Sequence, residues 1–208
     1  MSLIIVGPPQ SSYVRTVRMV CAEKSLAHRL EPVELGSEAH RKLHPWSRVP
    51  VLRDGAVEIY ETSAISRYLD DTHPTPRLVP GDVVARARME QWISAINSYI
   101  YDHVIQSYAL AGYVRPTLKN TPPDRAAIEA SLPAMRRDLE VLDAGYADAA
   151  YLAGAELSLA DLFVAPIVAT IGMFPEGQAA LGTTKHLARA FDSLRKRSSF
   201  GVAHAELM

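Results

Sequence analysis

The dipeptide Val49-Pro50 constrains this chain most. It follows His44-Pro45-Trp46-Ser47-Arg48 and opens the apolar run Val51-Leu52. Proline has no amide hydrogen to give a sheet ladder, so it belongs at a strand start or a special turn. X-Pro bonds are also the only ones that take the cis form at modest cost. A cis bond here is expected to turn the Val49 backbone away from its own sheet. Its N–H and C=O would then be offered to the backbone of a small peptide. About a dozen residues on, Glu61-Thr62 opens a helical pattern, an acidic residue and a hydroxyl suited to gripping that peptide's charged end.

The pattern around this dipeptide places it in a small α/β domain. Leu3 to Val6 reads as a short buried strand, Gly7 to Ser12 as a loop, and Tyr13 to Leu26 as a helix. Val14, Val17, Val20 and Cys21 form the helix's apolar face, with Arg15, Arg18, Glu23 and Lys24 largely off it. His28 to Leu35 alternates loosely as a second strand, confined to an edge by Pro32. Gly36 to Ser47 is polar and irregular. Val51-Leu52 and Val57-Glu58-Ile59 flank Asp54-Gly55, a hairpin signal because glycine accepts positive φ. Thr62 to Asp70 is a helix with Ile65, Tyr68 and Leu69 inward. The order is β-α-β, then β-β-α, over residues 1–76. A proline-rich linker spans 77–82, and residues 83–208 form an all-helical domain.

In that second domain Val84, Met89, Trp92, Ile93, Ile96, Ile100 and Val104 recur at helical spacing. Ile128, Leu132, Met135, Leu139 and Leu142 follow a bundle-like spacing, and Pro133 predicts a kink or late start within that run. Leu159 to Ile171 is apolar on nearly all sides, as a central helix is. Leu187 to Arg197 supplies the last amphipathic piece. Ser158-x-x-Asp161 is a capping box that starts the central helix, with aspartate in place of the usual Glu or Gln.

The formal net charge of -1 over 208 residues offers no basic field for nucleic acid. Leu3 to Val6 is too short for a signal-peptide core or a membrane span, so a cytoplasmic protein without membrane partners is expected. The single cysteine, Cys21, sits in an apolar helical pattern and reads as a buried small hydrophobe. Seven histidines show no metal-binding spacing, and Pro45 disrupts any helix joining His40 to His44. No metal is expected.

Ser11 and Ser12 lie between the first strand and first helix, where serine oxygens cap orphan N–H groups. No Ser-His-Asp triad or Gly-x-Ser-x-Gly accompanies them, so an acylated nucleophile is not expected. A hydroxyl at the positive end of a helix can instead donate to an anion such as a substrate thiolate. A free thiol has a pKa of about 8.5; a donor plus a helix N-terminus lowers it by roughly one to two units. Thr62 either caps its helix or binds a carboxylate there, and Glu61 is either solvated or meets a nearby ammonium.

Gly7-Pro8-Pro9-Gln10-Ser11-Ser12-Tyr13-Val14-Arg15-Thr16-Val17-Arg18, Arg48-Val49-Pro50-Val51-Leu52 and Glu61 to Leu69 together resemble the cytosolic glutathione S-transferases. So do Tyr151 to Leu162, with its Leu-Ala-Gly and Ser-x-Ala-Asp pieces, and Arg197-Ser198-Ser199-Phe200. The serine places the chain nearer the phi, theta and zeta types than the tyrosine classes. Tyr13 departs from the zeta cysteine, and Phe191 from a common tryptophan.

The resemblance implies a thioredoxin-like domain followed by an all-helical domain, usually as a homodimer, with glutathione as cosubstrate. It implies that Ser11 activates the thiol, with Ser12 able to exchange roles by a one-residue loop shift. It also implies that the Val49 backbone pairs with the cysteinyl unit ahead of Pro50, and that Glu61 and Thr62 hold the γ-glutamyl end. Arg48, and more weakly His40, then face the glycyl arm. By location Tyr101, Tyr108 and Tyr113 are expected beside a small hydrophobic electrophile. Addition of the glutathione sulfur to that electrophile is the leading expectation. Glutathione-dependent isomerisation, dehalogenation or peroxide reduction share the same thiolate, and a non-catalytic glutathione-binding scaffold is the alternative of another class.

Overall fold

The computed structural model describes residues 3–205. The chain divides after Val79. One compact unit holds the residues up to Val79 and takes back the segment from Arg195; Pro80–Leu194 form the other.

The first unit is an α/β layer. Strands β1 (Leu3–Val6), β2 (His28–Glu31), β3 (Val51–Asp54) and β4 (Val57–Tyr60) form one sheet in the order β2-β1-β3-β4. β1 pairs parallel with β2 and antiparallel with β3, which pairs antiparallel with β4. This is the thioredoxin-like arrangement. Strand β2 lies at an edge and stops at Glu31, just before Pro32 can interrupt a ladder. The β3–β4 turn has Gly55 at φ 60°, as the Asp-Gly signal requires. Helix α1 (Ser12–Glu23) links β1 to β2, and α3 (Thr62–Thr72) follows β4. Between β2 and β3 the polar stretch contains a short helix, α2 (Glu38–Leu43), where irregular chain was expected. Ser37 caps it by accepting the His40 N–H at 3.1 Å.

Helix α1 differs from its one-sided reading. Its apolar residues are buried, but so are Arg15, Arg18 and Lys24. The reason is tertiary. Helix α10 (Ser198–His204) packs against α1, and the Arg18 guanidinium donates to the carbonyls of Val202 and Ala203. Glu23 accepts from Arg197 at 2.6 and 2.7 Å and also binds the Ser199 hydroxyl. The carboxy-terminal segment therefore belongs with the α/β unit, not with the helical one to which its sequence position assigned it.

The proline-rich linker is clamped over its first part. The Lys24 ammonium, itself without exposed surface, lies 2.6 Å from Asp70 and donates to the carbonyls of His73 and Pro76. The Asp70 carboxylate in turn accepts the N–H groups of Leu78 and Val79, both buried. Every charge in this cluster has a partner, which buried ions require.

In the helical unit α4 (Val83–Ala95) continues without a break into a π-helical segment (Ile96–Val114), followed by α5 (Arg115–Leu118), α6 (Arg125–Gly145), α7 (Leu159–Ile171), α8 (Pro175–Leu181) and α9 (Lys185–Leu194). Met89, Ile93, Ile96, Ile100 and Val104 are buried as their spacing predicts, whereas Val84 is exposed. Helix α6 runs through Pro133 and starts eight residues before it, at Arg125, capped by Asp124. The late start is not adopted. Helix α7 is buried along nearly its whole length. Its capping box forms, and Asp161 does more than cap. Its carboxylate also accepts the Leu152 N–H at 2.9 Å and the Tyr146 hydroxyl at 3.0 Å. Burial pushes the Asp161 carboxyl up, opposed by the N–H and hydroxyl groups of Leu152, Ser158 and Tyr146.

Among the described residues no helix is long and apolar enough to cross a membrane, and no group of three or more His, Cys, Asp or Glu could hold a metal ion. Cys21 is buried, and burial pushes its thiol up to about 12.

Candidate functional site

The site is assembled from the loops that precede α1, β3 and α3. The first begins at Gly7, at φ 143° in the region that favours glycine. A Cβ there would lie 2.7 Å from Val14 and 3.0 Å from the Val49 Cβ. Glycine thus lets the loop before α1 lie against both the helix and the Val49 segment. Ser11 is the N-cap of α1, and its Oγ accepts the Val14 N–H at 3.4 Å. The hydroxyl proton has no acceptor among the described residues, and Ser11 keeps part of its surface exposed. Ser12 is different. It is buried, and its Oγ is sealed from solvent without a partner among the described residues. Of the two hydroxyls, only that of Ser11 is presented outward.

The Val49-Pro50 bond is cis. Pro50 is buried, and the next residue, Val51, joins the ladder opposite Val6 and Tyr60. No hydrogen bond among the described residues engages the Val49 N–H or C=O. A backbone amide unit is an obligatory hydrogen-bonding group. This one stands partly exposed just ahead of a strand that is paired on both sides.

Two histidines support this segment. His40 has no exposed surface. Its Nδ1 accepts the Gly36 N–H at 3.1 Å, and its Nε2 lies 2.9 Å from the Arg48 carbonyl. Both ring nitrogens are therefore committed inside the chain, so the direct contact with glutathione expected of His40 is not available to it. His44 is also buried. Its Nδ1 accepts the Trp46 N–H at 3.3 Å, its ring packs 4.7 Å from that of Tyr60, and its Nε2 lies 3.7 Å from the Glu61 carboxylate. Burial lowers the His44 pKa, with Glu61 opposing and His40 and Arg48 adding to the shift. From the sequence, this pair is weighed as metal ligands, and His40 also as a weak contact at the glycyl arm. Their role as backbone braces depends on groups that adjoin only in the fold.

Arg48 is exposed, and its guanidinium has no partner among the described residues. Glu61, not Thr62, occupies the N-cap position of α3, at φ 71° and with no capping bond from its side chain. The Glu61 side chain is 62% exposed. Thr62 is the first helical residue and largely buried. The opening N–H groups of α3 thus lack a side-chain cap, and the Glu61 carboxylate beside them has no Lys or Arg partner among the described residues. Such a pair suits a zwitterion.

The three tyrosines expected beside an electrophile divide. Tyr108 is fully buried in the helical unit; its hydroxyl donates to Glu176 at 3.2 Å and accepts the Gly177 N–H at 2.9 Å. Tyr113 also binds Glu176 and stacks on Phe174 at 4.1 Å. Arg125 completes the cluster, 3.0 Å from Glu176. A buried phenol needs a partner for its hydroxyl, and Glu176 supplies it for both rings. They are core groups of the helical unit. Only Tyr101 is more than marginally exposed.

A thioredoxin-like unit with a cis proline ahead of its third strand, followed by an all-helical unit, defines a class of two-unit proteins. Comparison with known proteins names the family. The glutathione S-transferase N-terminal domain model matches residues 6–77 and the glutathione S-transferase C-terminal domain model residues 101–196. The chain is 34% identical over 203 residues to glutathione S-transferase Z2 of Arabidopsis thaliana, spanning 95% of this chain and 88% of the relative. It is 29% identical over 205 residues to glutathione S-transferase 3 of Zea mays, spanning 95% and 91%. The solved structure of a glutathione S-transferase III in apo form superposes with a TM-score of 0.87 at 27% identity, covering 99% of this chain and 96% of that one. The chain belongs to the cytosolic glutathione S-transferase family, with phi- and zeta-like members among its relatives.

Proposed function

We propose that this protein is a glutathione transferase that uses the Ser11 hydroxyl to hold the glutathione sulfur as a thiolate and adds it to a small hydrophobic electrophile. One observation carries the reading. The Val49 N–H and C=O are left without a hydrogen bond among the described residues just ahead of β3, with Gly7 letting the loop that ends in Ser11 lie against Val49. A bound tripeptide that pairs its cysteinyl backbone with Val49 completes that ladder.

The charged ends of glutathione match the remaining groups. The γ-glutamyl carboxylate meets the start of α3 at Thr62, and its ammonium meets Glu61. The glycyl carboxylate meets the Arg48 guanidinium, a planar donor suited to it. The thiolate lies at the N-terminus of α1, where the helix dipole and the Ser11 O–H both favour negative charge. With an aryl halide a C–S bond forms, the C–halogen bond breaks, and the halide leaves with its electron pair. The thiol proton goes to solvent. Binding both reactants together adds rate through proximity.

Conjugation of glutathione to a chromogenic aryl halide tests the reading. Ser11→Ala is expected to lower the rate at saturating glutathione about a hundredfold, as loss of one anion-stabilising donor does. Ser12→Ala is expected to stay within about threefold of the parent, since its buried hydroxyl faces no ligand. An unchanged rate in Ser11→Ala overturns the serine assignment.

A further inference from the structure

We infer that His40 is a positioning residue for glutathione, aiming the Val49 N–H through the Arg48 carbonyl without touching the tripeptide; the inference rests on the glutathione reading above. The hydrogen bonds fix the ring's protonation. Gly36 N–H can only donate, so Nδ1, which accepts it at 3.1 Å, carries no proton. In the neutral ring the proton then sits on Nε2, where it donates to the Arg48 carbonyl at 2.9 Å.

That carbonyl and the Val49 N–H are the two ends of one peptide unit. The unit is planar, and in the trans form its C=O and N–H point in opposite directions. Holding the carbonyl from the protein side therefore sets the direction of the N–H on the other. Pro50 fixes the far side of Val49, and its ring sits buried. Among the described residues the bond from His40 is the only hydrogen bond to this peptide unit, so without His40 its plane is less restrained. The same brace fixes the backbone from which the Arg48 guanidinium extends. Ser37 caps α2 by binding the His40 N–H, so the imidazole is itself held at both backbone and ring. A brace of this kind acts on binding, not on the sulfur.

Titration calorimetry and steady-state kinetics on the intact protein and on His40→Phe, His40→Asn and His40→Gln test this. His40→Phe removes both ring bonds, and the shorter Asn cannot span to Arg48. Each is expected to raise the Kd and KM for glutathione about tenfold, the worth of roughly one hydrogen bond. Turnover at saturating glutathione should stay within about twofold, the opposite split to Ser11→Ala. Gln, whose amide nitrogen extends as far as Nε2, is expected to restore binding to within about threefold of the parent. Imidazole nitrogen NMR on the ligand-free parent should show Nε2 protonated and Nδ1 bare. Folded Phe and Asn variants that bind glutathione as the parent does overturn the inference and leave the glutathione reading standing. A parent with its proton on Nδ1 overturns it even where those variants fail to fold. A parent that takes up no glutathione overturns the glutathione reading itself, and this inference with it.

Discussion

The two units treat polar groups in opposite ways. In the helical unit they close on one another. Asp161 gathers Ser158, Leu152 and Tyr146, and Glu176 gathers Tyr108, Tyr113 and Arg125. In the α/β unit the groups at the loops before α1, β3 and α3 stay open. The Ser11 proton, the Val49 N–H and C=O, and the Arg48 guanidinium have no acceptor or partner among the described residues. Behind them the same unit is as closed as the other, through His40, His44 and the Lys24–Asp70 clamp. Closed clusters supply rigidity, whereas open groups held by closed ones are preorganised for a ligand.

The largest expected effect breaks a closed cluster. Asp161→Ala strips partners from the Tyr146 hydroxyl and from the N–H groups of Leu152 and Ser158. It should destabilise the helical unit by about 3–5 kcal/mol. Lys24→Met, which leaves Asp70 without its cation, should cost the α/β unit a similar amount. Urea unfolding followed by circular dichroism measures both. A loss below about 1 kcal/mol in either would mean that the cluster contributes little.

Opening an already open group should do much less to stability and more to binding. Arg48→Ala is expected to raise the glutathione KM about tenfold while leaving the unfolding midpoint unchanged, as loss of an exposed charge-assisted contact does. A shifted midpoint with an unchanged KM would place Arg48 among the structural groups instead.

The last effect concerns pH. Burial and the nearby guanidinium of Arg15, with a lesser part from Arg18, lower the His204 pKa to about 4, opposed by its bond to the Phe200 carbonyl. An unfolded histidine titrates near 6.5. Between these values the unfolded chain binds more protons, so stability rises with pH. The contribution is complete above about pH 6.5 and is lost as pH falls toward 4. The parent should therefore lose more stability between pH 7.5 and 4.5 than His204→Gln does. Parallel pH dependences would remove His204 from the account.

Much of this was legible in the chain because local rules govern it. Val49-Pro50, Asp54-Gly55, Pro32 and Ser158-x-x-Asp161 each restrict the backbone within a few residues, and each appears where the sequence places it. The apolar periods of α1, α6 and α7 likewise mark their buried faces. Helix α2 was less visible because four of its six residues are polar and its Ser37 cap is a weak signal next to Gly36.

The sequence by itself thus determined the strand order and the longer helices, the special turn at Val49-Pro50, and which residue types stand at the mouth of the sheet. Only the tertiary structure decided which of them face outward. It buried Ser12 and left Ser11 partly exposed, turned Tyr108 and Tyr113 toward Glu176, enclosed His40 behind Arg48, and returned the segment from Arg195 to the α/β unit. The physical reason is reach. Capping, turn geometry and apolar period act between residues a few places apart, whereas satisfying a buried proton or charge requires partners tens to hundreds of residues away, and composition carries no record of those pairings.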